Sequence, residues 1–258
     1  FEKNLADVVI HCAARVHIMA DTAPDTLLKF RETNTYGTLN LAHQAAAAGV
    51  KRFIFISSIK VNGETTEVDK PFRSGDTFIP TDSYGLSKYE AEIGLKQLSI
   101  KTGMELVIIR PPLVYGQGVK ANFAEMMKLA SKNLPLPLGA INNKRSLVAL
   151  DNLVDLIVTC IDHPKAANET FLVSDDQDVS TSELLNKMTI AAGKKPWLIP
   201  APMKWIQLIA SILGKKAIAD RLCGSLQVDI THTKEVLNWS PPITLEQGLV
   251  RCFHAKVD

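Results

Sequence analysis

The chain has 258 residues, of which 46% are hydrophobic and 22% charged, with a formal net charge of +2. Such a balance supports one compact unit, or two intimately packed lobes, around a substantial core. It excludes a nucleic-acid stripe and a polybasic membrane patch, so any anionic ligand must be held by local groups.

In chain order, Asp7–Val8–Val9–Ile10 is a short β-branched run that stops at His11–Cys12–Ala13–Ala14. A helical stretch over residues 26–48 ends at Gly49, as a C-terminal glycine ends a helix. Arg52–Phe53–Ile54–Phe55–Ile56 is nearly continuous apolar sequence, the pattern of a strand buried on both faces of a parallel sheet. A polar loop with Gly63, Pro71, Gly75 and Pro80 leads to a second long helix over 84–101, stopped before Gly103. The third buried strand is Leu106–Val107–Ile108–Ile109–Arg110, closed by Pro111–Pro112. Strands and helices alternating with short connections predict right-handed βαβ units in a doubly wound, Rossmann-like α/β fold.

Beyond residue 118 the pattern loosens. Helices are expected near 123–132, 151–162, 182–192 and 203–213, and a strand near 170–173 that could rejoin the main sheet. The expected division is a dinucleotide-binding part over 1–118 and a smaller, mostly helical substrate-binding lobe over 119–258, folded over the carboxyl edge of the sheet. Asp151 is expected to cap the helix that begins at Asn152.

Cys12, Cys160, Cys223 and Cys252 lie far apart and form no C-x-x-C pair, as expected of reduced thiols in a cytoplasmic protein. His11 and His17 have no third ligand at metal spacing, so no metal site is expected. No signal peptide is expected, and no apolar run approaches the ~18–20 residues of a membrane span. The run from Trp205 to Leu213 is interrupted by Gln207 and Ser211 and flanked by Lys204, Lys215 and Lys216. It reads as a packed amphipathic helix, with a membrane-surface or partner contact as the alternative.

The glycine fingerprint G-x-G-x-x-G that should open the first βα unit of a dinucleotide-binding domain is absent; Gly116–Gln117–Gly118 comes too late. The opening Phe1–Glu2–Lys3–Asn4–Leu5 reads as the tail of a helix, and the expectation is a sequence missing its N-terminal segment.

Tyr84–Gly85–Leu86–Ser87–Lys88 puts a phenol and an ammonium four residues apart on one helix face. The preceding strand ends in Ser57–Ser58, and in a doubly wound sheet the two positions converge. A phenol with a pKa of ~10 is a poor base at neutral pH. A nearby lysine ammonium, with a positive nicotinamide ring, would favour the phenolate. Lowering the pKa by about three units needs roughly 4 kcal/mol, a reasonable sum for two cations in a partly desolvated cleft. Tyr84 could then remove a hydroxyl proton from the substrate while a hydride leaves the same carbon, with Ser58 bonded to the same oxygen and Lys88 gripping the nicotinamide ribose.

Five motifs in order carry a resemblance: His11–Cys12–Ala13–Ala14 after a strand, Asn34-x-x-Gly37–Thr38–Leu39–Asn40, Phe53–Ile54–Phe55–Ile56–Ser57–Ser58, Tyr84-x-x-x-Lys88, and Arg110–Pro111–Pro112–Leu113–Val114–Tyr115–Gly116. The chain resembles the extended short-chain dehydrogenase/reductase family over nearly its whole length, in the nucleotide-sugar epimerase, dehydratase and 4-reductase branch. The UDP-glucose and UDP-N-acetylhexosamine 4-epimerases and 4-keto reductases are its nearest group. Ser58–Ile59–Lys60–Val61–Asn62–Gly63 stands where the 4-epimerases carry a serine, then a threonine and an aromatic. The resemblance implies that Ser58, Tyr84 and Lys88 are catalytic. It implies a dinucleotide, NAD or else NADP, held by Ala13, Ala14, Arg15, Asn34, Ser57, Tyr84, Lys88, Pro111, Leu113 and Val114, with Asn34 either touching it or supporting the active-site helix. It places a UDP-sugar against Lys60, Asn122, Phe123, Arg145 and Arg221, with arginine forks suited to phosphate. It also implies a homodimer formed through the two long helices.

Three activities follow as expectations: a UDP-sugar 4-epimerase, a 4-keto reductase or 4-dehydrogenase with net cofactor turnover, and a non-catalytic dinucleotide-binding protein. A dehydratase wants an acidic pair where Ile59–Lys60 stand. A serine hydrolase wants a G-x-S-x-G elbow that the sequence lacks.

Overall fold

Strong β propensity in four runs and helices between them produce one parallel sheet. The computed structural model describes residues 6–16, 26–119, 121–212, 214 and 216–254. Strand β1 is Val8–His11; helix α1, Thr26–Phe30, passes through a π turn at Arg31–Gly37 into α2, Thr38–Ala47. Strand β2 is Arg52–Ile56, followed by a short 3₁₀ turn at Ile59–Val61, helix α3 at Ser83–Thr102, strands β3 at Glu105–Arg110 and β4 at Leu113–Tyr115, and α4 at Ala121–Lys132. Then come β5, Leu147–Ala149; α5, Leu150–Asp162; β6, Thr170–Leu172; and α6, Thr181–Ala191. Helices α7, Met203–Ile212; α8, Lys216–Cys223; α9, Thr231–Leu237; and α10, Leu245–Phe253, complete the chain.

The main sheet has the order β1-β2-β3-β6, with every neighbouring pair parallel. In register, Phe53 faces Leu106 and Phe55 faces Ile108, while Ile54 faces Val107 and Ile56 faces Ile109. Alternation sends these pairs to opposite layers. Phe53, Phe55, Leu106 and Ile108 pack with Ala42, Ala45, Ala91, Leu95 and Leu98 of α2 and α3. Ile54, Val107 and Ile109 pack with Leu153, Leu156, Cys160 and Phe171 on the α5 side. Two covered faces explain why β2 and β3 read as unbroken apolar runs. Gly49 and Gly103, at φ of 85° and 74°, adopt the left-handed conformation that ends the two long helices.

A third cluster, around Tyr115, Phe123, Leu147, Leu184, Met188, Leu245 and Leu249, joins the β4–β5 pair to α4, α6 and α10. Three helices and the short β4–β5 pair escaped the sequence reading because each spans nine residues or fewer. For α10 a signal existed: Thr244 and Gln247 form a capping box. Asp151 does not cap its helix. The helix starts at Leu150 with Ala149 at the cap, and Asp151 lies in the first turn paired with Arg251 at 3.0 Å. The Ala149 N–H donates to Asp175 Oδ1 at 2.8 Å, which ties the start of α5 to the end of β6. All four cysteines are free thiols. The expected helical tail at 1–5, and His17, lie outside the described residues.

Candidate active site

At the carboxyl end of β2 the backbone turns away from the sheet. The Ser57 N–H still donates to Ile109 O in β3, and the Ile59 N–H donates to Pro111 O. Between them Ser58 is extended and caps the 3₁₀ turn, its Oγ accepting from the Lys60 N–H at 3.3 Å. Asp82 caps α3, Oδ1 accepting from the Gly85 N–H at 3.0 Å. Tyr84 therefore stands in the first turn and Lys88 one turn later, on the face turned toward the end of β2.

The side chains meet there. Tyr84 is half-buried, its ring edge-on to Phe30 at 6.0 Å, and the Ser58 hydroxyl lies beside its phenol. Burial pushes the phenol pKa up; the Ser58 hydroxyl and the Lys60 charge oppose that, and the Asp82 charge adds to it. Lys88 is 1% exposed; its Nζ donates to Ile56 O at 2.9 Å and sits 4.5 Å from the centroid of the Phe55 ring. Burial lowers its pKa to about 8, against the opposing pull of Glu92 and Cys12. His11, buried beside Lys88 and bonded to Thr38 Oγ1 at 2.8 Å, is held below its ordinary pKa by burial and by the Lys88 charge.

The loop after β1 forms the adjoining wall. Ala13 is exposed, and Ala14 and Arg15 are half-buried. Asn34 grips the Arg15 backbone from both sides, Oδ1 accepting from its N–H at 2.8 Å and Nδ2 donating to its carbonyl at 3.0 Å. Nδ2 also donates to Ser87 Oγ at 3.0 Å, and Ser87 donates to the Tyr84 carbonyl at 2.8 Å. The π turn places Asn34 at that junction, and Thr35 Oγ1 bonds Ser87 O at 2.9 Å. Asn34 is fully buried with its amide taken up by protein partners, so it acts through the Arg15 loop and α3 and does not line the cleft. Ser87 was missed in the sequence, since nothing local marks it as the link between the loop and Tyr84.

Directly behind lies a buried polar network. Ser57 Oγ donates to Glu92 Oε1 at 2.5 Å, and Arg110 bonds both Glu92 oxygens at 2.9 and 2.6 Å and Asn62 Oδ1 at 2.9 Å. The Ser57 side chain is therefore a member of this network.

The expected outer contacts divide. Phe123 is 1% exposed and stacked on Tyr115 at 5.2 Å, within the core cluster. The side chain of Asn122 lies outside the described residues. Arg145 Nη1 donates to Arg221 O at 2.6 Å and to Gly224 O at 3.3 Å, while the Arg221 side chain is exposed. Pro111 is buried, with Leu113 exposed and Val114 half-buried on β4. Lys60 Nζ is held by Glu64 and Asp82. A surface cavity of ≈ 520 Å³ between Lys96, Ile100, Leu106 and Thr170 lies away from all these groups. Among the described residues no cluster of three or more His, Cys, Asp or Glu could hold a metal.

A parallel doubly wound sheet with a Ser–Tyr–Lys set at its carboxyl edge defines a dehydrogenase-type α/β enzyme. Residues 1–174 match the NAD dependent epimerase/dehydratase family, and the chain belongs to that family. It is 60% identical over 249 residues to a UDP-glucose 4-epimerase of Vibrio cholerae, covering 96% of this chain and 76% of that protein. In fold it is similar to a Thermotoga maritima UDP-glucose 4-epimerase with UDP-glucose, at a TM-score of 0.73 and 22% identity, covering 96% of this chain and 76% of that one. It is also similar to a Bacillus cereus UDP-glucuronic acid 4-epimerase in complex with NAD, at a TM-score of 0.74 and 20% identity, covering 96% and 73%.

Proposed function

We propose that the protein is an NAD-dependent nucleotide-sugar 4-epimerase of the UDP-glucose or UDP-N-acetylhexosamine type. The observation that carries the reading is the Tyr84 phenol beside the Ser58 hydroxyl, with the buried Lys88 one turn along the same helix. The residues present fit a dinucleotide. Ala13 and Ala14 leave an unobstructed backbone at the end of β1, and the buried Lys88 ammonium lies beneath that edge. Ala13, Ala14 and Arg15 would hold NAD from the β1 side, Lys88 from α3, and Leu113 and Val114 from β4. The chemistry that NAD supplies is reversible hydride exchange with sugar C4.

The chain's own groups manage the proton and the geometry. Tyr84 takes the C4 hydroxyl proton as that carbon is oxidised, and returns it once the 4-keto sugar has presented its other face. Ser58 donates its single O–H to the same oxygen as charge develops there. Asn34 and Ser87 fix the Arg15 loop relative to Tyr84, so cofactor wall and base move as one unit. Arg145 and Arg221 are the candidates for the diphosphate. In this reading residues 1–118 carry the cofactor and 119–258 the sugar nucleotide. Two copies pair through α2 and α3, where Ile93 and Ile100 are exposed, and the enzyme works in the cytoplasm.

The test is incubation of the protein with UDP-glucose, or with UDP-N-acetylglucosamine, and NAD. Appearance of the 4-epimer without net gain of reduced cofactor supports the reading. Stoichiometric reduction would move the assignment to a 4-dehydrogenase or 4-keto reductase, and neither product would leave only dinucleotide binding.

A further inference from the structure

Lys60 stands two residues after Ser58, and its stem lies against the first turn of α3: its Cβ is 3.3 Å from the point a Cβ on Gly85 would occupy. Its N–H donates to Ser58 Oγ at 3.3 Å, and its Nζ donates to Glu64 Oε1 at 2.9 Å and Asp82 Oδ1 at 3.0 Å. Asp82 uses the same Oδ1 to cap α3, and its Oδ2 is buried with no hydrogen-bond partner among the described residues. A carboxylate with one bare buried oxygen needs a counter-charge. Lys60 is that charge, and both partners bear on the phenol two residues beyond the cap, with opposite signs.

We propose that Lys60 is a positioning residue for Tyr84: clamped between Glu64 and Asp82, its ammonium offsets the Asp82 carboxylate beside the phenol and sets the pH range over which Tyr84 accepts the substrate proton. This rests on Tyr84 being the base. Lys60 lies on the 3₁₀ turn and Asp82 at the α3 cap. Phe30 on α1 packs edge-on, with the Arg15 guanidinium 5.8 Å from its ring centre. Lys88 follows one turn on, with the Glu92 and Cys12 charges acting on it and its own charge acting on His11. Lys60 has both Glu64 and Asp82 on its Nζ and stays charged; burial opposes the charge, but those two hydrogen bonds raise its pKa above the ordinary value. Without Lys60, the phenol faces the Asp82 charge alone.

The experiment compares pH profiles of epimerisation for the wild type, Lys60→Met, Lys60→Arg, Asp82→Asn and Lys60→Met/Asp82→Asn. Tyrosinate absorbance titrations, differenced against Tyr84→Phe, isolate this phenol from Tyr36, Tyr89 and Tyr115. Lys60→Met should move the acidic limb and the Tyr84 titration up by about one pH unit, a roughly tenfold loss of rate on that limb that recovers at higher pH. Lys60→Arg should restore the profile. Asp82→Asn, which keeps a good helix cap, should move the limb down, and the double variant should fall between the two single ones. A Lys60→Met that only raises KM, with the limb unmoved, overturns the proposal and returns Lys60 to substrate binding. If Lys60→Met does not fold, an unmoved limb in Asp82→Asn overturns it equally. Full turnover in Tyr84→Phe would instead remove the base assignment itself.

Discussion

Two polar clusters meet at the end of β2, and neighbouring serines feed them. Ser58 opens toward Tyr84 at the half-exposed edge of the sheet, beside a phenol that is hard to ionise. Ser57 points inward to Glu92 and Arg110, whose side chains are 2% and 6% exposed. The inner cluster is satisfied: both carboxylate oxygens and several guanidinium donors have partners. The outer one keeps a bare Asp82 oxygen, a buried Lys88 with a depressed pKa and a raised phenol. Satisfied networks hold a fold together, whereas perturbed, incompletely matched groups mark chemistry.

The sharpest break between the clusters should come from Tyr84→Phe, expected to lower turnover by about 10²–10⁴-fold with the unfolding midpoint unchanged, as read by product formation and urea denaturation. Glu92→Ala should do the reverse in kind. It leaves the Arg110 charge buried and unpaired, at a cost of about 3–5 kcal/mol in denaturant unfolding. Lys88 belongs to both sides of the comparison. Its folded pKa of about 8 lies below its unfolded value of 10.5, so between those values the unfolded chain holds more protons and stability rises with pH. The stability of wild type relative to Lys88→Met should therefore grow by up to about 3 kcal/mol from pH 7 to pH 10.5, measured by urea unfolding at several pH values. The smallest effect is the most discriminating. Ser57→Ala should cost about 1–2 kcal/mol of stability with near-normal turnover, and Ser58→Ala should slow turnover while leaving stability within about 0.5 kcal/mol. Equal outcomes for the two serines would dissolve the distinction between the clusters.

Much of this was legible along the chain. The apolar runs at 52–56 and 106–110 were readable as strands because both faces of the sheet are covered. The Tyr84–Lys88 spacing was readable because four residues make about one helical turn. An apolar residue near a cleft and one in a core look alike in sequence, and only the structure shows Phe123 stacked on Tyr115. Asp151 was misread because the helix begins at Leu150, one residue before it, with Ala149 at the cap.

Period and spacing by themselves determined the α/β class, the order of the strands and helices in the first half, and the residue types that gather at the sheet edge. Those signals are local, written in neighbours one to four residues apart. Tertiary structure alone decided which of two adjacent serines faces the cleft, that Asn34 reaches Tyr84 through Ser87, and that Lys60 answers Asp82. Each of these is a contact between segments far apart in the chain, set by how the helices pack on the sheet.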